Sequence, residues 1–311
     1  MKLLSVAALL FTLSAFADYR PDRDGALTTV GLEVVDMDDR PIEGAKVMFR
    51  VFTTFDHCNK IMRDTDANGY CEIAGKTRGE ITVVVTKDGY YTSYGDLSYR
   101  DLSWEDAVAE QKWTRGVVKN RVVMKAVGNP RRHLSGGMTF RRPPITNELL
   151  PFDAIVFDWC SPYGKGRVED FKIGCYGLTN AAETVEWGLV IRADNCVDGF
   201  CAKTVDEWSK FRYALNADES AGYKKEIRHG LTLDDAGNMG RTNEKAKNLY
   251  YVFRIRSETN HVGKIIRSHY GIIDEGVGFQ EGLSLGVQVN PSSNDTSLEH
   301  DWAYKHMEKG R

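Results

Sequence analysis

The sequence predicts an all-β protein in two parts, a small Ig-like sandwich followed by a second β-sandwich or jelly-roll-like domain. Three observations carry that expectation. Apolar and polar residues alternate over short runs, as in Val47, Phe49 and Val51, the period of a strand half-buried in a sheet. The 29 glycines and an aromatic content of 11% suit short strands joined by turns better than a helical bundle. A length of 311 residues is more than one core of ordinary size requires and points to two domains.

The first stretch carries Lys2, an apolar run from Leu3 to Leu13, and then Ser14-Ala15-Phe16-Ala17. That is the pattern of a secretory signal over residues 1–17, cleaved before Asp18. The run is too short to span a bilayer, and no later stretch reaches the ~20 apolar residues of a spanning helix. A secreted or periplasmic product without membrane insertion is expected. Of 41 basic and 44 acidic side chains only Lys2 lies in that leader, which leaves 40 against 44, a formal −4. Such a balance argues against a nucleic-acid partner.

The first domain is expected over residues 18–127. Val30, Leu32 and Val34 form one strand, Asp36 to Arg40 a turn, and Val47 to Val51 the next strand. Asp64-Thr65-Asp66-Ala67-Asn68-Gly69 reads as a hairpin turn before Tyr70-Cys71-Glu72-Ile73, because Asn and Gly tolerate positive φ. Ile81, Val83 and Val85 supply a further strand, Ser103 caps a short helix over Leu102 to Val108, and Val117 to Val127 closes the domain.

The successions Asp38-Asp39-Arg40-Pro41-Ile42-Glu43-Gly44-Ala45-Lys46-Val47, Thr65-Asp66-Ala67-Asn68-Gly69 and Val85-Thr86-Lys87-Asp88-Gly89-Tyr90 resemble the carboxypeptidase regulatory-like family. The resemblance covers roughly residues 27–126 and implies a transthyretin-like β-sandwich, an accessory module without catalytic residues of its own. The zinc peptidase domain that gives the family its name has no counterpart, since no His-x-x-Glu pair with a later His is found.

Gly128-Asn129-Pro130 and Pro143-Pro144 mark a linker at 128–150. The second β-rich domain is expected over 151–295, with strands at Val168 to Cys175, Thr184 to Arg192, Leu249 to Arg256, Gly263 to Ile273 and Leu283 to Val289. Only Val205 to Tyr213 shows helical promise there, and 296–311 reads as a polar C-terminal tail. Asp158 to Gly166, Tyr250 to Ile255 and His269-Tyr270-Gly271 resemble exported bacterial proteins without assigned activity that join this same pair of domains.

All six cysteines follow the leader, and an even number in an oxidising compartment reads as a disulfide set. Local spacing favours Cys58 with Cys71, Cys160 with Cys175, and Cys196 with Cys201. No metal site or cofactor is expected.

Four patterns could carry chemistry. Gly282-Leu283-Ser284-Leu285-Gly286, with Asp295 and His300 behind it, matches a nucleophile elbow, but Leu283, Leu285, Val287 and Val289 alternate as one strand instead of turning into a helix. Asp64-x-Asp66-x-Asn68-Gly69 opens like a calcium loop, yet Gly75 stands where the bidentate Glu belongs. The histidines His261, His269, His300 and His306 are scattered, and no carboxylate pair can be singled out for glycosidase chemistry. Aromatics carry the remaining signal: Trp104 in the first domain, with Trp159 and Tyr163 in a Pro/Gly-bounded turn of the second, are the candidate ligand-binding residues, and packing at a core edge with the polar atom at the rim is the other role such rings take. The expected function is that of an exported non-enzymatic binding or structural protein, with carbohydrate or a cell-surface protein as partner and oligomeric state open. The alternative is a secreted hydrolase of polysaccharide or peptide whose catalytic groups converge in the second domain.

Overall fold

The computed structural model describes residues 19–53, 57–140, 148–179, 185–205, 209–233, 239–241, 249–273 and 283–300. The expected signal and the last part of the tail lie outside them. The chain forms two compact units, one of residues 1–127 with 207–212 and the other of 128–206 with 213–311.

Unit 1 contains α1 (Pro21–Asp24), β1 (Ala26–Asp36), β2 (Lys46–Phe52), β3 (Cys58–Asp64), β4 (Tyr70–Thr77), β5 (Ile81–Thr86), β6 (Ser93–Asp96), α2 (Trp104–Glu110) and β7 (Lys112–Met124). A three-stranded sheet of order β4-β1-β7 faces a four-stranded sheet of order β3-β2-β5-β6. In the first sheet β1 runs antiparallel to β4 and parallel to β7. Alternation fixes which residues face inward. Val30, Leu32 and Val34 of β1 pack with Val47, Phe49 and Val51 of β2 and with Ile81, Val83 and Val85 of β5. Helix α2 starts where expected: the Ser103 Oγ accepts the Asp106 N–H at 3.1 Å, and Gln111 ends it in the left-handed region. Beyond it Trp113 is buried, its indole N–H donating to the Thr77 carbonyl at 2.8 Å.

The helix expected from Val205 to Tyr213 is not formed among its described residues. Ser209 bridges antiparallel to Ser93, and the Lys210 N–H donates to the Thr92 carbonyl at 2.8 Å. Phe211 is buried and stacks on Tyr91 with ring centroids 5.2 Å apart. Pairing with the β6 end and burial of one aromatic ring outweigh a local preference for helix that was weak to begin with.

Unit 2 contains β8 (Leu134–Phe140), β9 (Leu150–Asp153), β10 (Asp158–Trp159), β11 (Phe171–Thr179), β12 (Val185–Ala193), β13 (Gly199–Thr204), β14 (Glu226–Leu233), β15 (Met239–Arg241), β16 (Leu249–Thr259), β17 (Ile265–Ile273) and β18 (Leu283–Val289). A six-stranded sheet, β10-β9-β11-β12-β14-β15, faces a five-stranded one, β13-β16-β17-β18-β8. Their core joins Phe152, Phe171, Ile173, Leu189 and Ile191 to Tyr251, Phe253, Ile255 and Val289. Strand β16 is buried on both faces: Tyr251, Phe253 and Ile255 point into that core, while Tyr250 and Val252 meet Val205, Ala217 and Leu298. Its first five residues, Leu249 to Phe253, are therefore a continuous apolar run instead of an alternating one.

The stretch 128–150, expected as linker, holds β8, which pairs with β18 from Leu134↔Val289 to Phe140↔Leu283. Its start is fixed as well, because the Gly128 and Asn129 N–H groups both donate to the Glu299 carboxylate. The expected tail likewise begins inside the fold, with Ser297, Leu298 and Glu299 all at 1% exposure or less.

Cys58, Cys71, Cys160, Cys196 and Cys201 are free thiols. The expected Cys58–Cys71 and Cys196–Cys201 bridges are thus not formed, and the Cys175 side chain lies outside the described residues. For the first pair the reason is geometric. The turn at 65–69 folds β4 back along β3, so Cys71 sits next to the turn and Cys58 at the far end. The Thr77 hydroxyl, six residues beyond Cys71, donates to the carbonyl of Phe52, the register partner of Cys58. Six residues of strand span about 20 Å, and a disulfide needs Cα atoms within about 7 Å.

Candidate functional site

The densest ionic cluster among the described residues lies in unit 2. Asp153 ends β9, Asp170 precedes β11, and Arg256 stands at a register shift in β16 with φ of 53°. The Arg256 guanidinium donates to Asp170 Oδ1 and Oδ2 at 2.8 and 2.9 Å and to Asp153 Oδ1 at 2.8 Å. Backbone N–H groups fill the remaining positions: Ile155 and Val156 on Asp153 Oδ1, Arg167 and Val168 on its Oδ2, and Ala154 on Asp170 Oδ2. Burial works to raise the Asp153 carboxyl, but the Arg167, Val156 and Val168 N–H groups and the guanidinium outweigh it and hold it below the ordinary carboxylate range. For Asp170 burial wins, and its carboxyl is pushed up. Both carboxylate side chains are 1% exposed, and their oxygens are committed to N–H donors. Buried and held by these donors, they are closed to solvent, and they pin the loop between β9 and β11 to the bulge of β16.

The same loop carries two of the sequence-predicted site residues, and they part ways. Trp159 is 5% exposed and packs edge-on against Phe152 at 5.7 Å in the sandwich core. Of the two roles open to this candidate ligand-binding ring, packing is the one the fold realises: a short β10–β9 pairing turns the indole inward, where its large apolar area is best buried. Tyr163 stays exposed at 38%. Its turn is held by Asp158, whose carboxylate accepts the Trp159 and Lys165 N–H groups, each at 2.9 Å. Trp104, in unit 1, is 40% exposed on the first turn of α2, with its ring 6.0 Å from that of Trp113.

Ser284 is the second residue of β18, opposite Thr139 of β8, on a regular antiparallel ladder. A strained strand-to-helix turn is therefore missing at this serine. Asp295 pairs with Arg131 at 2.9 Å, and the His300 ring meets His133 edge-on at 5.5 Å. His269 is buried, its Nδ1 lying 3.3 Å from the Asn290 carbonyl, and burial lowers its pKa. His261 is on an exposed turn, and His306 lies outside the described residues. No group of three metal-ligating side chains occurs among the described residues.

The calcium-like loop is a turn. Asp66 Oδ1 accepts the Asn68 and Tyr70 N–H groups at 2.9 Å each, and Gly69 takes φ of 70°. A Cβ at that glycine would fall 2.4 Å from the Val34 carbonyl oxygen. Beside the turn, the outer face of the three-stranded sheet holds a depression of about 370 Å³ lined by Glu33, Asp66, Asn68, Tyr70 and Lys119. Tyr70 pairs with Glu33 across β4 and β1, and Lys119 of β7 stands opposite Gly31. The Tyr70 phenol lies over Gly31, where an added Cβ would come within 2.9 Å of ring carbons. Its hydroxyl donates to Glu72 Oε2 at 2.8 Å. Burial, and then that carboxylate, push its pKa up to about 12. Sequence reading missed this group, although a glycine inside an alternating strand, Val30-Gly31-Leu32, is the signal of a close approach.

No protein-family model matches the chain, and no curated protein matches it. Among solved structures it is similar to 3-chlorocatechol 1,2-dioxygenase of Rhodococcus opacus, at 14% identity over 35% of this chain and 63% of that one, with a TM-score of 0.27. A DUF3823 family protein of Parabacteroides merdae is similar at 9% identity, over 89% of this chain and all of its own, with a TM-score of 0.22. BcpA, the major pilin subunit of Bacillus cereus, is similar at 11% identity over 88% and 96%, with a TM-score of 0.23. Scores this low transfer neither activity nor assembly, and the carboxypeptidase regulatory-like resemblance gains no support from them.

Proposed function

We propose that the chain is an exported, non-enzymatic binding protein whose partner is a carbohydrate. The observation that carries this reading is the state of the Asp153–Asp170–Arg256 cluster. A glycosidase needs two carboxyl groups with room between them for substrate or water. The carboxylates brought together here share one guanidinium and are closed to solvent, which makes them a structural lock. What unit 1 presents outward is a polar depression with a tyrosine floor, and aromatic faces beside hydrogen-bonding groups suit a sugar ring. Export rests on the leader-like first 17 residues, and no helix among the described residues is long and apolar enough to cross a membrane. Division at residue 127 is part of the same reading.

A second reading, binding of a surface protein, is favoured by one row of side chains. Met62, Met48, Val84 and Tyr94 stand side by side across the outer face of the four-stranded sheet. Met62 is 55% and Tyr94 40% exposed.

A glycan-array screen of the full chain tests the proposal. Reproducible binding of one glycan class is the expected result. Shortened products after incubation with the bound oligosaccharide would replace it with the hydrolase reading.

A further inference from the structure

We infer that the depression over Gly31 is a glycan subsite in which the free side of the Tyr70 phenol carries the apolar face of one uncharged sugar ring. The inference rests on the carbohydrate reading above and gives it a place. The ring is set by the fold: Gly31, buried in mid-strand, leaves the space into which the phenol settles, and the Tyr70–Glu72 hydrogen bond fixes its rotation. A side chain held in place in advance loses little freedom on binding.

The rim is mixed in sign and in hydrogen-bonding role. Glu33 and Asp66 supply carboxylate acceptors, Lys119 an ammonium donor and Asn68 an amide that both donates and accepts. Such a set complements neighbouring hydroxyl groups, each of which donates and accepts. It complements a multiply charged ligand poorly, because either sign meets a like charge at the rim. Asp66 is held by the turn it organises, and Glu33 and Lys119 project from adjacent strands. The volume of about 370 Å³ falls at the small end of ligand sites, room for one or two sugar units of a longer chain that continues into solvent.

The test is calorimetric titration of the full chain with cellohexaose, xylohexaose, mannohexaose and chitohexaose, repeated with Tyr70→Ala, Asn68→Ala and Lys119→Ala. Asn68 and Lys119 are exposed, so their variants should keep the wild-type melting temperature even if Tyr70→Ala does not. At least one hexaose is expected to bind, with affinity at least tenfold weaker in Tyr70→Ala and several-fold weaker in Asn68→Ala and Lys119→Ala. Wild-type affinity in the folded variants would overturn the subsite and leave the carbohydrate reading standing. Failure of all four sugars to bind the wild-type chain, together with an empty glycan array, would overturn both.

Discussion

Arg256 grips Asp170 through two near-parallel hydrogen bonds, Nε to Oδ1 and Nη2 to Oδ2, while the same Nη2 reaches Asp153. The partners are 86 and 103 residues apart in sequence. One side chain therefore ties the β9–β11 loop to the far sheet of unit 2.

Removing that guanidinium strands two buried carboxylates. Arg256→Met should destabilise unit 2 by about 3–5 kcal/mol, the usual cost of breaking one side of a buried ion pair. Arg256→Lys should recover only part of it, because an ammonium cannot make the paired contact. Urea denaturation measures both; a loss under about 1 kcal/mol in Arg256→Met would show that the pair is not the lock described here.

Tyr70 gives unit 1 an alkaline sensitivity. Its folded-state pKa lies at about 12, above the ordinary 10, so the unfolded chain releases that proton first as pH rises. Its contribution is complete below pH 10 and disappears between 10 and about 12. Melting temperatures across that window should fall less steeply in Tyr70→Phe than in the wild type. Parallel slopes would contradict the assignment.

Thiol chemistry distinguishes the structure from the spacing of the cysteines. Alkylation of the native, unreduced protein should label the exposed Cys196 first and Cys71 last, since Cys71 is buried and its thiol is pushed up to about 11 by that burial. A Cys58–Cys71 linked peptide in a non-reducing map would require β3 and β4 to be arranged differently.

Phe211→Ala should cost unit 1 about 3–5 kcal/mol, the range for truncating a buried phenylalanine. The same substitution should expose the Tyr91 face it covers. Calorimetry reads the first effect, and faster proteolysis near residue 210 the second.

Strands β2 and β5 were legible because each is buried on one face only, so Val47, Phe49 and Val51 write the alternation into the sequence, whereas β3, with no buried residue, left no such mark. The Ser103 cap was legible for a similar local reason. Strand β8 was not: Gly136 and Gly137 sit in its middle and prolines flank the stretch, so turn chemistry masks a strand that only β18 stabilises. Trp159 lies in a turn-like sequence, and nothing local says that its ring points to Phe152. The Arg256 cluster and the Tyr70 depression are products of long-range register, which no spacing along the chain records. The cysteine pairing failed because proximity in sequence was read as proximity in space across a reversal of direction.

The contribution of Glu207–Arg212 to unit 1 has a consequence for anyone who would move that unit as a cassette. A gene fragment ending at codon 127 encodes all seven strands, yet it omits the piece that stacks on Tyr91 and pairs at Ser93. Grafted onto another protein, such a fragment would carry an open sheet edge beside a bare aromatic ring, a combination that invites self-association. A faithful transplant must bring the distant hexapeptide along, either as a synthetic peptide added in trans or spliced behind β7 through a short loop.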